Sequence, residues 1–464
     1  MPPVSRLSVT HGLGAFRLAW VLAGAIASAQ QSDAPVIRVD VRQVLVPVIV
    51  TDGKGHHVTG LKASDFHILE DDAAQEIAAF STDTSQAALG AAPVARRAER
   101  PPGSTAAAPE SAGHTFVICI DALHSAFANS VRTREALTRL FEKEKPSEVQ
   151  YVLLSLGRQL QVLQTATSNP AAILSRLHSP AVQPALGGSD AATLRSELND
   201  LKNRMYDFCK GCNCTSPRDC ATQAQALKLS LDGQAEHWAL LREQFLAQLK
   251  SVVEELAKLP AGRTLILVSD GFSLQPAREF YAVASAFLPK DERFKMAGPT
   301  DLESRLQAVI QVAAERDVRI YSVDSRGLAQ GSLAAAGSMD ASSPADRTAP
   351  SVIRHVPSAN RGGTLLSDMD HEAASAEFQN GSGMEQLARA TGGVYFHDSN
   401  DMLKQFRSAL ADGREYYLLA YIPKNRVQDG KFRKITVEVA DKKLHVQAKF
   451  GYWAEPAQNG APLP

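Results

Sequence analysis

No surplus of charge marks this chain: its 464 residues carry 49 Lys and Arg against 50 Asp and Glu, a formal net charge of −1. Without a field of one sign, recognition of nucleic acid or of an anionic membrane through bulk electrostatics is excluded. Beyond the N-terminal region no apolar run is long enough to cross a bilayer, which excludes a later membrane helix. The common enzyme signatures are missing too: there is no G-x-S-x-G elbow, no Walker loop and no Rossmann glycine pattern in the right context. His371-Glu372 opens a zincin-like motif, but Ser375 stands where the second histidine is required. His56-His57, beside a turn, reads as a solvated pair. Cysteine is scarce: Cys119 stands alone, and Cys209, Cys212, Cys214 and Cys220 make up the rest of the five.

What is present begins with an export signal. Arg6 and Arg17 precede an apolar stretch from Leu18 to Ile26, and Ala27-Ser28-Ala29 supplies a small-residue cleavage pattern. Residues 1–29 read as a secretory signal peptide, so the mature chain is expected to be soluble and exported, to the periplasm or outside the cell. No cysteine follows the small residues, so a lipid anchor is not supported. In an oxidising compartment the four clustered cysteines are expected to form two disulfides, of undetermined pairing; the rival is a structural zinc site with CxxC spacing. Cys119 is read as a buried structural thiol.

The mature chain falls into four stretches of different character. Residues 30–84 form a small β unit, in which Ile37, Val39 and Val41 alternate with Arg38, Asp40 and Arg42 before the apolar run Val44 to Val50. Pro47 lacks an amide donor and suggests an edge position or a bulge. Residues 85–113, rich in Ala, Pro, Ser and Arg, read as a flexible linker. Residues 114–412 alternate buried strands with helical periodicity, interrupted near 179–233 and 325–380, where regularity is lost. In the first interruption Thr193 to Tyr206 has helical character. Residues 413–456 return to strands and form a second β unit, expected to pack with the first because each is small for an independent core.

Thr115 to Asp121 is the anchor of the middle region, an apolar run ending abruptly in aspartate, as a strand buried on both faces of a parallel sheet does. Thr264 to Ser269 repeats the pattern before Asp270, and Arg319 to Val323 before Asp324. In open α/β sheets ligands collect at such carboxyl ends.

These residues resemble a von Willebrand factor type A domain. FVICIDALHS at 116–125, RTLILVSDG at 263–271, YSVDSRG at 321–327 and ATGGVYF at 390–396 carry the resemblance. With Val44 to Val50, Asp52-Gly53-Lys54-Gly55, Gly60-Leu61, Asp65-Phe66, Glu70-Asp71, EYYLLAYIP at 415–423 and FGY at 450–452, it extends to the secreted bacterial VWFA-related family. The implied fold class is α/β: a Rossmann-like type A domain, a mostly parallel sheet with helices on both faces, flanked by small β units.

The resemblance also implies a metal-ion-dependent adhesion site. There a divalent cation such as Mg²⁺ sits among hard oxygens and leaves one position for a partner's carboxylate. Asp121, Ser125 and Asp270 carry the pattern here, with Ser189 in the threonine position by chain order and Thr165 or Thr167 as alternatives. Leu123 replaces the first serine of the motif and offers no oxygen, while His124 is a softer nitrogen donor that suits Mg²⁺ poorly. The competing reading is structural, with Asp121 capping the following helix and Asp270 shaping a turn. By function, the chain is expected to be an exported, non-enzymatic module for protein binding or adhesion, with a protein or other macromolecule as partner. A structural envelope protein is the alternative, and an unrecognised hydrolase ranks third.

Overall fold

Val44, Val46, Val48 and Val50 recur at every second residue, a pattern that commits one face of a strand to burial. All four are buried in β1 (Val44–Thr51). The structure, a computed structural model, describes residues 43–82, 114–328 and 381–454, apart from 148, 213–219, 260–261, 276, 289–290 and 296–301. The expected signal peptide, linker and strand from Ile37 to Val41, together with His371-Glu372 and most of the 325–380 interruption, lie outside the described residues. After β1 come β2 (Phe66–Glu70), β3 (Ala73–Gln75) and β4 (Ile77–Ser81).

The next strand, β5 (Thr115–Asp121), is buried at every position. It leads into α1 (Phe127–Phe141), then β6 (Gln150–Leu156), β7 (Leu160–Thr167) and α2 (Pro170–His178). Two long helices follow, α3 (Ser189–Cys212) and α4 (Ala221–Leu256), then β8 (Arg263–Ser269), α5 (Arg278–Phe287), α6 (Glu303–Glu315) and β9 (Arg319–Asp324). Past the undescribed stretch stand helix α7 (381–391), β10 (Tyr395–Phe396) and α8 (Met402–Arg414). The chain closes with β11 (Tyr417–Tyr421), β12 (Phe432–Val439), β13 (His445–Ala448) and β14 (Gly451–Trp453).

The middle strands form a mixed α/β layer. Its six-stranded sheet has the order β10-β9-β8-β5-β6-β7, parallel except for β7 at one edge. Alternation along β5 serves both faces. Phe116, Ile118 and Ile120 join Ile266, Val268, Tyr321 and Val323 under α1, α2 and α8. Val117 and Cys119 join Leu265, Leu267 and Ile320 under the other helices. Each fully buried Leu, Ile or Phe in these layers contributes roughly 1.5–3 kcal/mol over leaving it in water.

The interruption at 179–233 is more regular than its composition suggests, since α3 and most of the first half of α4 lie within it. Polar α3 offers little apolar periodicity, yet Leu201, Met205 and Phe208 bury one stripe against the same core as Leu227, Leu231 and Trp238 of α4. Cys119 is a buried free thiol, whereas Cys209 and Cys220 are not free. The pairing of the cluster lies outside the described residues, which leave out Cys214 and the side chain of Cys212.

The terminal strands interleave in two four-stranded sheets, β13-β1-β11-β4 and β14-β12-β2-β3. Between them lie Val44, Val46, Val48 and Val50, Phe66 and Ile68, Leu419, Ile435 and Val439. Glu70, 2% exposed, is held in this core by hydroxyl donors at 2.6 Å from Tyr421 and 3.0 Å from Tyr452. Pro47 sits in an interior strand, but at a point where β1 is paired with β11 alone: the ladder to β13 starts at Val48. The missing amide donor is tolerated on that open flank.

Polar contacts tie this sandwich to the α/β layer. The Arg319 guanidinium lies 3.8 Å from the Tyr416 ring centre, Lys449 pairs with Asp317 at 2.8 Å, and His57 Nε2 meets Asp412 Oδ1 at 2.7 Å. His57 is therefore no solvated partner of His56: its side chain is 15% exposed, while His56 stands 74% exposed beside Asp52. The hydrogen bond to Asp412 raises the His57 pKa against the opposing effect of burial, and the charges of Asp412 and Glu415 add to it. A group whose pKa rises on folding contributes stability below its unfolded value, about 6.5, and loses it as pH climbs through the raised value. Urea midpoints of the wild type should thus fall between about pH 6 and pH 8, and those of His57→Gln should fall less. Parallel slopes for the two proteins would refute the contribution.

Candidate functional site

Three strands of the parallel sheet end side by side in aspartate: Asp121 closes β5, Asp270 follows β8 and Asp324 closes β9. The loop after β5 is folded by the first of these. Asp121 Oδ1 accepts the backbone N–H groups of Leu123 and His124, each at 3.0 Å. Its Oδ2 takes the Ser269 hydroxyl at 2.5 Å and lies 2.8 Å from His124 Nδ1. A carboxylate offers about four lone-pair sites, so this one, fully shielded from solvent, is saturated by the protein itself. Ser269 in turn accepts the Gly271 N–H at 2.9 Å.

Leu123, where the motif has its serine, points inward and is 1% exposed in the core beneath α4. The His124 ring meets Phe245 edge-on, 4.9 Å between centroids, and lies 5.8 Å from Phe272. Its Nδ1 is thereby held toward Asp121, and its buried Nε2 has no hydrogen-bond partner among the described residues.

Asp270 does for α1 what no residue of that helix does. The helix starts without a side-chain cap and has no acidic residue in its first turn. From across the sheet, Asp270 Oδ2 accepts the Ala126 N–H at 2.8 Å and the Asn129 amide at 2.7 Å, placing an anion at the helix N-terminus where the dipole favours it. Oδ1 accepts the Ser325 hydroxyl at 2.5 Å. Burial raises the Asp270 pKa, opposed by these three hydrogen bonds and assisted by the charge of Asp121. Asp324 is engaged as well, by Arg326 at 2.6 Å and the Tyr395 hydroxyl at 3.2 Å. Arg132 latches the same loop to α1 through the carbonyls of Ser325 and Arg326.

Of the expected ligands, Asp121, Ser125 and Asp270 share this end of the sheet. Ser125 is 3% exposed. Ser189 joins them at the periphery, exposed, at the start of α3. The glycines before it allow that approach. At Gly187, with φ +118°, a Cβ would lie 3.3 Å from the Ala122 Cα; at Gly188, with φ +105°, it would lie 2.9 Å from the Phe127 backbone. The alternatives Thr165 and Thr167 are excluded by register. Thr167 pairs with Tyr151, which pairs with Phe116, so β7 carries these hydroxyls toward the opposite end of the sheet from Asp121. Sequence reasoning missed Ser269, Ser325 and Asn129 altogether, although Ser269 and Ser325 each adjoin a strand-end aspartate.

This donor set does not fit a hexacoordinate Mg²⁺ as arranged. Both Asp121 oxygens are already filled and Leu123 supplies none; Asp270 Oδ1 retains the spare acceptor capacity of the pair. Among the described residues no group of three or more His, Cys, Asp or Glu side chains is placed to hold a metal ion.

No protein-family model and no curated protein matches the chain. Among solved structures it is similar to the conserved hypothetical protein BatB from Bacteroides thetaiotaomicron, at 10% identity and a TM-score of 0.27, over 65% of this chain and 98% of that one.

Proposed function

We propose that this chain is an exported, non-enzymatic protein-binding module that presents the strand-end face around Asp270 to a macromolecular partner, as a type A domain whose metal site has become structural. The observation that carries the reading is the saturation of Asp121: an aspartate with every acceptor site satisfied inside the fold holds the loop in shape and has none to lend. The face it shapes offers the partly open Asp270, the Asn129 amide and the Phe127 ring, which is 71% exposed at the first residue of α1. An aromatic anchor beside a rigid polar cluster is the composition of an interface hot spot.

The test is retention of a partner from envelope extract on immobilised mature protein. Retention should be unchanged by chelator and fall about tenfold in Phe127→Ser, the loss of one interface anchor. Loss on chelation would restore the metal reading. Retention indifferent to both chelator and Phe127 would favour a structural envelope component, for which these loops serve packing alone.

A further inference from the structure

The exposed face of α4 is a self-complementary stripe, and we propose that it is the contact of a homodimer in which two copies of α4 pack antiparallel. Ala226, Leu229, Gly233, Glu236, His237, Leu240, Gln244 and Ala247 are all exposed and recur at steps of three and four, apart from the adjacent central pair. At 100° per residue they fall on one side of the helix. Leu229 and Leu240 are 70% and 51% exposed, far more than core-facing leucines of the same helix such as Leu231 and Leu249, both at 0%.

Gly233 has no internal explanation. It lies inside a 36-residue helix, where glycine lowers stability, and a Cβ added there would meet nothing within 4 Å. Its own fold therefore does not require the missing side chain; close approach of a second backbone would. The order of residues says which backbone. About a two-fold axis between Glu236 and His237, Leu240 of one copy lies over Gly233 of the other, twice. Glu236 lies opposite His237, Leu229 opposite Gln244, and Ala226 opposite Ala247. Large meets small where Leu240 covers Gly233, and carboxylate meets imidazole at the centre, each repeated by the symmetry of an isologous contact. Glu236 has no ion pair with any described residue of its own chain, so its charge is available. The stripe extends over roughly 32 Å at 1.5 Å per residue, and steps of three and four suit shallow helix crossing. One helix pair buries less than a standard interface, so the dimer should be a dissociating one.

Sedimentation velocity of the full mature chain over a range of concentrations tests this. The wild type should shift reversibly from monomer to dimer. Gly233→Leu places its Cβ where nothing lies within 4 Å and improves helix propensity, so it should fold at least as well by circular dichroism yet associate at least about tenfold more weakly. Glu236→Lys should weaken the dimer, and Glu236→Lys combined with His237→Glu should recover it, because the new pair is again complementary across the axis. A wild type that stays monomeric throughout, or a Gly233→Leu variant that dimerises as well as wild type, would overturn the proposal.

Discussion

Asp121→Ala is expected to cost on the order of 3–5 kcal/mol of folding stability, the usual penalty for removing one partner of a buried charged network. The reason is what the variant leaves behind. Two backbone N–H groups, the Ser269 hydroxyl and His124 Nδ1 all lose their acceptor in a site with no solvent exposure. Each stranded donor costs about 1–3 kcal/mol when water cannot replace the carboxylate. Ser125→Ala, in the same loop and 3% exposed, should stay within about 1 kcal/mol, since among the described residues no comparable network converges on its hydroxyl. Urea denaturation of the three proteins measures the difference, and a constant m-value would show that midpoints report stability. Were Asp121 kept for an external ligand, its removal would instead be neutral or stabilising, as is common for residues that trade stability for function.

Gly393→Ala should be the most disruptive substitution of a single methyl group at the sheet edge, costing about 3 kcal/mol or more as overpacking against an unyielding partner. A Cβ there would sit 2.0 Å from the Ile320 carbonyl oxygen and 2.7 Å from its carbon, both backbone atoms of β9. The strand cannot move aside without giving up its ladder to β8. The expected response is that β10 leaves the sheet, breaking the pairing of Tyr395 with Ser322 and of Phe396 with Val323, and taking the Tyr395 hydroxyl from Asp324. Hydrogen exchange at the Ser322 amide, which donates to the Val394 carbonyl at 3.0 Å, should lose its protection while the β5–β8 amides keep theirs. Protection retained at Ser322 would show that the close approach is relieved by other means. Gly392 beside it is fixed for a separate reason, a φ of +82° and a Cβ position 2.9 Å from the Lys449 amide nitrogen.

The strands of the parallel sheet were legible because their signal is local. A run such as FVICID carries its burial in its own composition, and the aspartate that ends it marks the end of the sheet. What these aspartates do was not legible, because every decisive partner comes from elsewhere: Ser269 is 148 residues from Asp121, and Ala126 is 144 from Asp270. The threonine alternatives failed for the same reason, since only the antiparallel register of β7 shows which end of the sheet holds Thr165 and Thr167. His57 is the starkest case; next to His56 and a turn it looks wet, and its partner Asp412 lies 355 residues away. The periodicity of Trp238, Leu241, Phe245, Leu249, Val252 and Leu256 marks the second half of α4, whereas α3 and the first half of α4 were under-read because polar residues, two glycines and the cysteines dilute the apolar stripe.

If Asp121 is consumed by the fold, the strand-end face works without a divalent ion. Isothermal titration calorimetry of Mg²⁺ and Mn²⁺ into the wild type, with Asp121→Asn and Asp270→Asn as references, tests it most directly. The wild type should give no saturable heat and be indistinguishable from either variant. A saturable heat in the wild type that both substitutions abolish would contradict it.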